Sequence, residues 1–372
     1  MNSLLLRNFR NYVECSLQFH PKLNVIIGNN AQGKTNLLEA ISYLSLGSSF
    51  RSQPNDKIKR WDSDFFFLRA NYQNQLGSHS LSVGFQRRER IWKKDEQPCS
   101  RLSEIVGQLH TVVFSPEDLK LVQSGPDKRR AFLDREMVQL LRGYHIYLNN
   151  YKRALVQRNN LLKQMPPDLL FSSAGDEQLA IWEEQLAVNG AEIVRRRSFT
   201  LQALNEICQE LHSRLTGSQE HLHLVYSSTW AEQAGKLEAE ELADLLRQSY
   251  AQGRREDKQR RLTLLGPHRD DFAIYINEVD GRTFGSQGQQ RTAALALKLS
   301  ELELVHKLSG YYPLLLLDDV FSELDSNRRQ ALLSLMLNKA QIFITCTEIA
   351  NDLQKLNSAD YQLFKVQAGC IK

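Results

Sequence analysis

Through residues 1–120 apolar positions alternate with polar ones or run together briefly, which predicts strands. Residues 3–7 and 12–19 are two such stretches. In the second, Val13, Cys15, Leu17 and Phe19 alternate with Glu14, Ser16 and Gln18. Leu23 to Ile27 is a short apolar run suited to a buried parallel strand, and the three are expected to share a small sheet. Residues 65–72 and 81–87 predict an antiparallel pair around a turn at 74–79, and 110–114 predicts another strand. Pro116-Glu117-Asp118 predicts a helix start with acidic residues in its first turn.

From roughly 125 to 217 the period becomes helical. Tyr144, Leu148, Tyr151, Leu155 and Leu162 share one face, a polar break follows at Met165-Pro166-Pro167, and a long helix is expected over 177–215. In that helix Leu201, Leu204, Cys208, Leu211 and Leu215 recur three and four apart, so the pair predicts an αα-hairpin. A charged helix is expected over 238–261. Strand patterns then return: 272–276 ends in a turn expected at Asp280-Gly281, and 314–317 and 341–347 are apolar.

The turn after Ile27 carries the first chemistry. Gly28-Asn29-Asn30-Ala31-Gln32-Gly33-Lys34-Thr35 has the Gly-x4-Gly-Lys-Thr spacing of a phosphate-binding P-loop, between a strand and a helix with Leu37, Ile41 and Leu44 at helical spacing. Gly28 and Gly33 let backbone N–H groups point inward as an anion nest, and the helix N-terminus adds partial positive charge. Lys34 reaches the β- and γ-phosphates, and the Thr35 hydroxyl ligates Mg²⁺.

Pro313-Leu314-Leu315-Leu316-Leu317-Asp318-Asp319 is the second half, a Walker B pattern. Asp318, at the carboxyl end of a buried parallel strand, holds Mg²⁺ directly or through water; Asp319 orients or deprotonates the attacking water. Lys34 and Asp318 must meet around one ion, yet nearly the whole chain separates them. The expected architecture is therefore an α/β head built from 1–120 and 262–372, with a mainly helical arm, 121–261, inserted between.

Ser286-Gln287-Gly288-Gln289 precedes a good helix and resembles the signature motif of ABC-type ATPases. In that family the motif binds the γ-phosphate of ATP held by a second subunit. The order P-loop, signature, Walker B, then Ser322-Glu323-Leu324-Asp325, matching the D-loop, supports the resemblance. Two departures stand out. No histidine follows the next strand, leaving Thr345 or Thr347 to contact the phosphate, and Asp319 stands where the family commonly has Glu. Both suit slow hydrolysis in a switch.

Leu6-Arg7-Asn8-Phe9-Arg10-Asn11-Tyr12, Ser115-Pro116-Glu117-Asp118-Leu119, Arg129-Arg130-Ala131-Phe132-Leu133-Asp134 and Gly266-Pro267-His268-Arg269-Asp270-Asp271 extend the match in order along nearly the full chain. Together these motifs resemble the RecF family of bacterial recombination-repair ATPases. The resemblance implies an ABC-type P-loop head with an SMC-like helical arm, and ATP-driven homodimerisation. It further implies binding to duplex or gapped duplex DNA, and cooperation with RecR and RecO in loading RecA.

Composition changes this picture little. The 372 residues are 42% hydrophobic and 24% charged, as in an ordinary soluble domain protein. The run 314–317 is far too short to span a bilayer, no signal peptide is visible, and five scattered cysteines fit reduced thiols in the cytoplasm. His221-x-His223 reads as a strand rather than a zinc pair. Net charge is only +4, but basic runs at 87–94, 195–197 and 254–261 are candidate DNA contacts. Two other classes stay open, a small-molecule phosphotransferase and a transporter-type nucleotide-binding subunit. The first lacks a visible acceptor site. The missing histidine and the inserted arm disfavour the second.

Overall fold

The computed structural model describes residues 1–51, 57–74, 77–87, 89–101, 104–349, 353 and 357–371. The chain forms two compact units, one of Met1–Lys120, Arg214–Ser218 and Arg291–Lys372, the other of Leu121–Ser213 and Gln219–Gln290.

The first unit has two six-stranded sheets. One is antiparallel throughout, in the order Tyr12–Gln18, Ser3–Phe9, Phe65–Asn74, Gly77–Gln86, Glu89–Lys94, Gln97–Cys99. The other runs Cys370–Ile371, Tyr361–Gln367, Leu23–Ile27, Ile342–Cys346, Leu314–Asp318, Thr111–Phe114, parallel except for its first pair. Leu23–Ile27, Leu314–Asp318 and Ile342–Cys346 are buried almost throughout, as expected of parallel strands covered on both faces. Helix Lys34–Leu46 buries 11 of its 13 residues. Its apolar side chains share one core with Leu4, Leu6 and Phe66 of the first sheet and Leu316, Phe343 and Phe364 of the second. A helix apolar on every side needs cover on every side, and two sheets supply it.

Three expectations for this unit are corrected. Strands 3–9 and 12–18 do not join the sheet of Leu23–Ile27. They form a hairpin whose inner strand pairs antiparallel with Phe65–Asn74, and Val13, which the alternation groups with Leu17, is 58% exposed while Leu17 is buried. Pairing between 65–74 and 77–86 continues to Asn74↔Gly77, so the turn is tighter than 74–79; Gln75 and Leu76 lie outside the described residues. At 116–118 there is no long helix, only a single 3₁₀ turn, Asp118–Lys120. The Asp118 carboxylate accepts from the Ser115 N–H at 2.8 Å and its hydroxyl at 2.7 Å, capping that single turn. The helix starts instead at Pro126, after Gly125.

The second unit holds helices Pro126–Leu140, Tyr144–Gln164 and Ala239–Arg260, most of the 44-residue helix Ser173–Thr216, and a three-stranded antiparallel sheet of Leu222–Ser227, Asp271–Ile276 and Val279–Asp280. The long helix begins at Ser173, earlier than expected, and Leu162, Met165, Leu170 and Leu179 bury one another across the break. Segment 262–290 packs in this unit rather than with the first: Phe272 meets Phe132, and Asp271 takes a bidentate pair with Arg129. The strand turn falls at Asn277-Glu278, both in the left-handed region (φ 50° and 65°), not at Asp280-Gly281. Asn277 is fixed there because its side chain accepts from His221 N–H at 2.8 Å. His223 stacks on Tyr275, and no metal-holding His, Cys, Asp or Glu cluster occurs among the described residues. The five cysteines are free thiols, and no described helix is long and apolar enough to cross a membrane.

A buried polar cluster organises this unit. The Tyr151 hydroxyl lies 2.7 Å from His268 Nδ1, while His268 Nε2 lies 3.1 Å from the Thr263 carbonyl. A carbonyl only accepts, so Nε2 carries the proton and Nδ1 accepts from Tyr151. Burial, with lesser contributions from Arg269, Arg130 and Arg158, pulls the His268 pKa from 6.5 down to about 4. The unfolded chain therefore binds a proton below about pH 6.5 that the folded chain refuses until about pH 4. Stability from this group is complete above the unfolded value and is lost as pH falls through that window, by about 3 kcal/mol at most. His268→Gln should flatten the pH dependence of the urea midpoint between pH 6.5 and 4 by about one proton. An unchanged slope would show that His268 is not the titrating group.

Candidate functional site

The P-loop bridges strand Leu23–Ile27 and helix Lys34–Leu46. Gly33 adopts φ 117°, and a Cβ there would lie 2.6 Å from Asn11 Nδ2. A Cβ on Gly28 would lie 2.4 Å from the Val366 carbonyl, so both positions admit only glycine. Asn29, Asn30 and Ala31 form the exposed tip, and Ala31 takes a left-handed φ of 64°. Lys34 is 4% exposed, and its ammonium donates to the carbonyls of Gly28 at 2.8 Å and Asn29 at 3.2 Å. It is thus curled back over the loop's own backbone.

The two sequence-distant halves meet directly. Thr35 Oγ1 donates to Asp318 Oδ1 at 2.8 Å, across 283 positions of sequence. Parallel pairing sets this up: Asp318 ends its strand beside Thr345, and Ile27 ends its own beside Cys346. Thr345 is fully buried. Its hydroxyl donates to Asp318 Oδ1 at 3.0 Å and accepts from the Asp319 N–H at 2.9 Å, whereas Thr347 is exposed. Burial raises the Asp318 pKa; the hydroxyls of Thr35 and Thr345 work against that rise, and the charge of Asp319 adds to it. Asp319 itself is half-buried with φ 53°, and its carbonyl accepts from Ser322 Oγ at 2.6 Å.

Around this centre lie groups that P-loop and Walker patterns do not reveal. Asn11 donates to the Gln32 carbonyl and accepts from Asn36, and the Tyr12 hydroxyl donates to the Gly33 carbonyl at 3.0 Å. The turn at Ala368-Gly369 holds Gln32 from the other side: Gly369 N–H donates to its carbonyl at 3.0 Å and Ala368 N–H to its side chain at 2.7 Å. Glu39, fully buried on the P-loop helix, takes both guanidinium arms of Arg10 and the Ser49 hydroxyl. Arg51 reaches Asn36, and its charge is a minor influence against the burial-driven rise in the Asp318 pKa. Of these, Arg10, Asn11 and Tyr12 lie in the N-terminal motif that carried the family resemblance; Glu39, Ser49 and Arg51 left no such signal. Ser52, in the same loop, lies outside the described residues.

In the second unit, Ser286-Gln287-Gly288-Gln289 opens helix Gln287–Ser309 with a reciprocal cap. Gln289 N–H donates to Ser286 Oγ at 3.2 Å, and Ser286 N–H donates to Gln289 Oε1 at 2.9 Å. Gln290 fixes the loop from below by donating to the Gly281 and Arg282 carbonyls. Ser286 and Gln287 are exposed, so the helix N-terminus faces solvent. In the first unit Asp325 caps helix Ser326–Met336, accepting from Arg328 N–H at 2.9 Å, which lowers its pKa.

The basic runs are mostly consumed by the fold. Arg197 is buried, bonded to both oxygens of Asp134 and to the Pro267 carbonyl; Arg196 pairs with Glu192 and Arg195 with Glu238. Arg254 pairs with Glu183, Lys258 with Asp176, and Arg261 donates to the Leu162 and Met165 carbonyls. Arg90 donates to the Gly47 carbonyl, Trp92 of the same strand is buried against Tyr43, and Arg88 lies outside the described residues. Arg197, Arg254 and Lys258 are therefore corrected: they hold helices together and are not free to meet a polyanion.

Residues 1–372 match the family model described as the RecF/RecN/SMC N terminal domain. The chain is 39% identical over 371 residues to the DNA replication and repair protein RecF of Halothermothrix orenii, covering 100% of this chain and 98% of that protein. It is 40% identical to its counterpart in Symbiobacterium thermophilum, covering 100% and 97%. Among solved structures, the recombination mediator protein RecF-ATPrS in the RecFOR pathway superimposes with a TM-score of 0.89 at 34% identity, covering 100% of this chain and 97% of that one. An Smc head domain from Pyrococcus furiosus gives 0.54 at 13% identity, a likeness of fold. With a mixed α/β head of ABC type and full-length identity at this level, the chain belongs to the RecF family of DNA replication and repair proteins.

Proposed function

We propose that the protein is an ATP-driven, DNA-binding switch in recombinational repair. Two copies close over two ATP molecules, each held between Lys34 of one copy and Ser286 of the other. The observation that carries this is the Thr35–Asp318 contact, which unites P-loop and Walker B in one copy, while the exposed, capped N-terminus at Ser286 offers an anion site in search of a phosphate. The P-loop residues Gly28 to Thr35, with Gln287, Gly288, Gln289 and Asp325, complete the nucleotide contacts. A groove of about 740 Å³ beside the loop, lined by Arg10, Asn11, Asn36, Trp61 and Gly369, receives the base and ribose. Trp61, 98% exposed at its rim, offers a face for stacking.

Thr35 and Asp318 present hard oxygen donors at 2.8 Å from each other, a donor set that fits Mg²⁺. Bound there, the ion would neutralise charge on the phosphates. Lys34 leaves its backbone carbonyls for the phosphates, Asp319 orients and deprotonates the attacking water, and Thr345 positions both aspartates. Hydrolysis is slow and stimulated by DNA, and it reopens the dimer. ATP favours closure only through contacts made in the closed state. The head is assigned to 1–120 and 291–372 and the inserted arm to 121–290, a boundary later than the 261 expected from the sequence pattern and in keeping with the packing of 262–290 in the second unit. The cytoplasmic partners are duplex or gapped duplex DNA, with RecR and RecO, in loading RecA.

Ser286→Arg tests the sandwich. It should leave ATP binding by the single chain intact and abolish the ATP-dependent increase in sedimentation coefficient. A variant that dimerises normally with ATP contradicts it.

A further inference from the structure

Helix Tyr144–Gln164 contains no Asp or Glu in its 21 residues. Its inner face is buried, with Tyr151, Arg158 and Leu162 in the unit's core. Its outer face exposes Asn149, Lys152, Arg153, Gln157, Asn160 and Lys163. Among the described residues the side chains of Lys152, Arg153 and Lys163 have no ion pair or hydrogen bond. The neighbouring helices differ. Arg195, Arg196 and Arg197 on Ser173–Thr216 are all paired, as are Arg247, Arg254 and Lys258 on Ala239–Arg260. The outer face of Tyr144–Gln164 thus carries unpaired cations and amides and no acid, interspersed with the exposed apolar side chains of Ile146 and Val156.

We propose that this outer face is a docking surface for the phosphate backbone of duplex DNA. The proposal rests on the DNA-binding reading above and adds a surface outside the three basic runs. Soluble surfaces ordinarily intersperse both signs of charge, so an acid-free helix face is a single-sign field. Lysine and arginine neutralise phosphates, and asparagine and glutamine amides donate to phosphate oxygens without reading sequence. At 1.5 Å per residue the helix is about 30 Å long, close to one turn of duplex, with Lys152 and Lys163 about 16 Å apart along its axis. The inner face anchors these side chains to a packed core, so little ordering is lost on contact.

The test is fluorescence anisotropy of a labelled 30-base-pair duplex with the full-length protein, ATP and Mg²⁺, as a function of salt. The variant K152Q/R153Q/K163Q should bind at least about tenfold more weakly near 0.1 M salt and flatten the slope of log affinity against log salt by about 2 to 3. The charge-preserving variant K152R/R153K/K163R should bind like the wild type. Both must keep the wild-type urea midpoint and ATP-dependent sedimentation. Wild type that binds duplex, with a neutralised variant of unchanged slope, overturns the helix assignment alone. Wild type that fails to bind duplex at low salt overturns both the assignment and the reading it rests on.

Discussion

Asp319→Asn should slow ATP hydrolysis by on the order of 10² to 10⁴-fold while ATP-dependent dimers persist longer. The backbone at 319 is pinned on both sides: its N–H by Thr345 and its carbonyl by Ser322. Asparagine has nearly the same shape and accepts the left-handed φ of 53°. The substitution therefore removes basicity and charge and little else. Lys34 and Thr35 are untouched, so ATP still binds. Single-turnover phosphate release and sedimentation in parallel separate the two effects. Turnover at the wild-type rate would remove Asp319 from the chemistry.

Arg197→Met should destabilise the second unit by about 3–5 kcal/mol, because Asp134 loses a bidentate partner in a buried setting. Asp270, 3.9 Å away, is held up in pKa first by burial and loses the opposing charge of Arg197. Arg195→Gln, two residues away in the same basic run, should cost under about 1 kcal/mol, since its partner Glu238 is exposed. Urea unfolding followed by helical signal compares them. Equal costs would show that burial does not separate the two arginines.

That contrast also shows what the sequence could reveal. Gly28 to Thr35, the strand ending in Asp318 and the Ser286 cap were legible because each depends on residues adjacent in the chain. Their convergence was legible too, since a P-loop calls for a Walker B strand beside it, and Thr35 meets Asp318 at 2.8 Å. The rest turned on partners far away. Alternation in 12–19 marks a strand but not its sheet, and Tyr12–Gln18 pairs only with Ser3–Phe9, away from the P-loop strand. Arg195, Arg196 and Arg197 look alike until Asp134, 63 positions upstream, claims one of them. Asp118 reads as a first-turn helix acid and is one, but of a single 3₁₀ turn whose short length its neighbours in sequence do not foretell. Glu39 sits in an apolar helix with no local sign that Arg10 will meet it there. The acid-free helix face was present in the sequence, but the pairing of Arg195, Arg196, Arg197, Arg247, Arg254 and Lys258 on the neighbouring helices makes it stand out.

A nucleotide site shared between two copies is tested most directly by trans-complementation. Lys34→Ala and Ser286→Arg chains, each inactive alone, are mixed and phosphate release is followed. A mixed dimer pairs an intact Lys34 with an intact Ser286 at one of its two sites, so turnover should return on mixing. A mixture no more active than its separate components, or either variant alone matching the wild type, would contradict a site built from two chains.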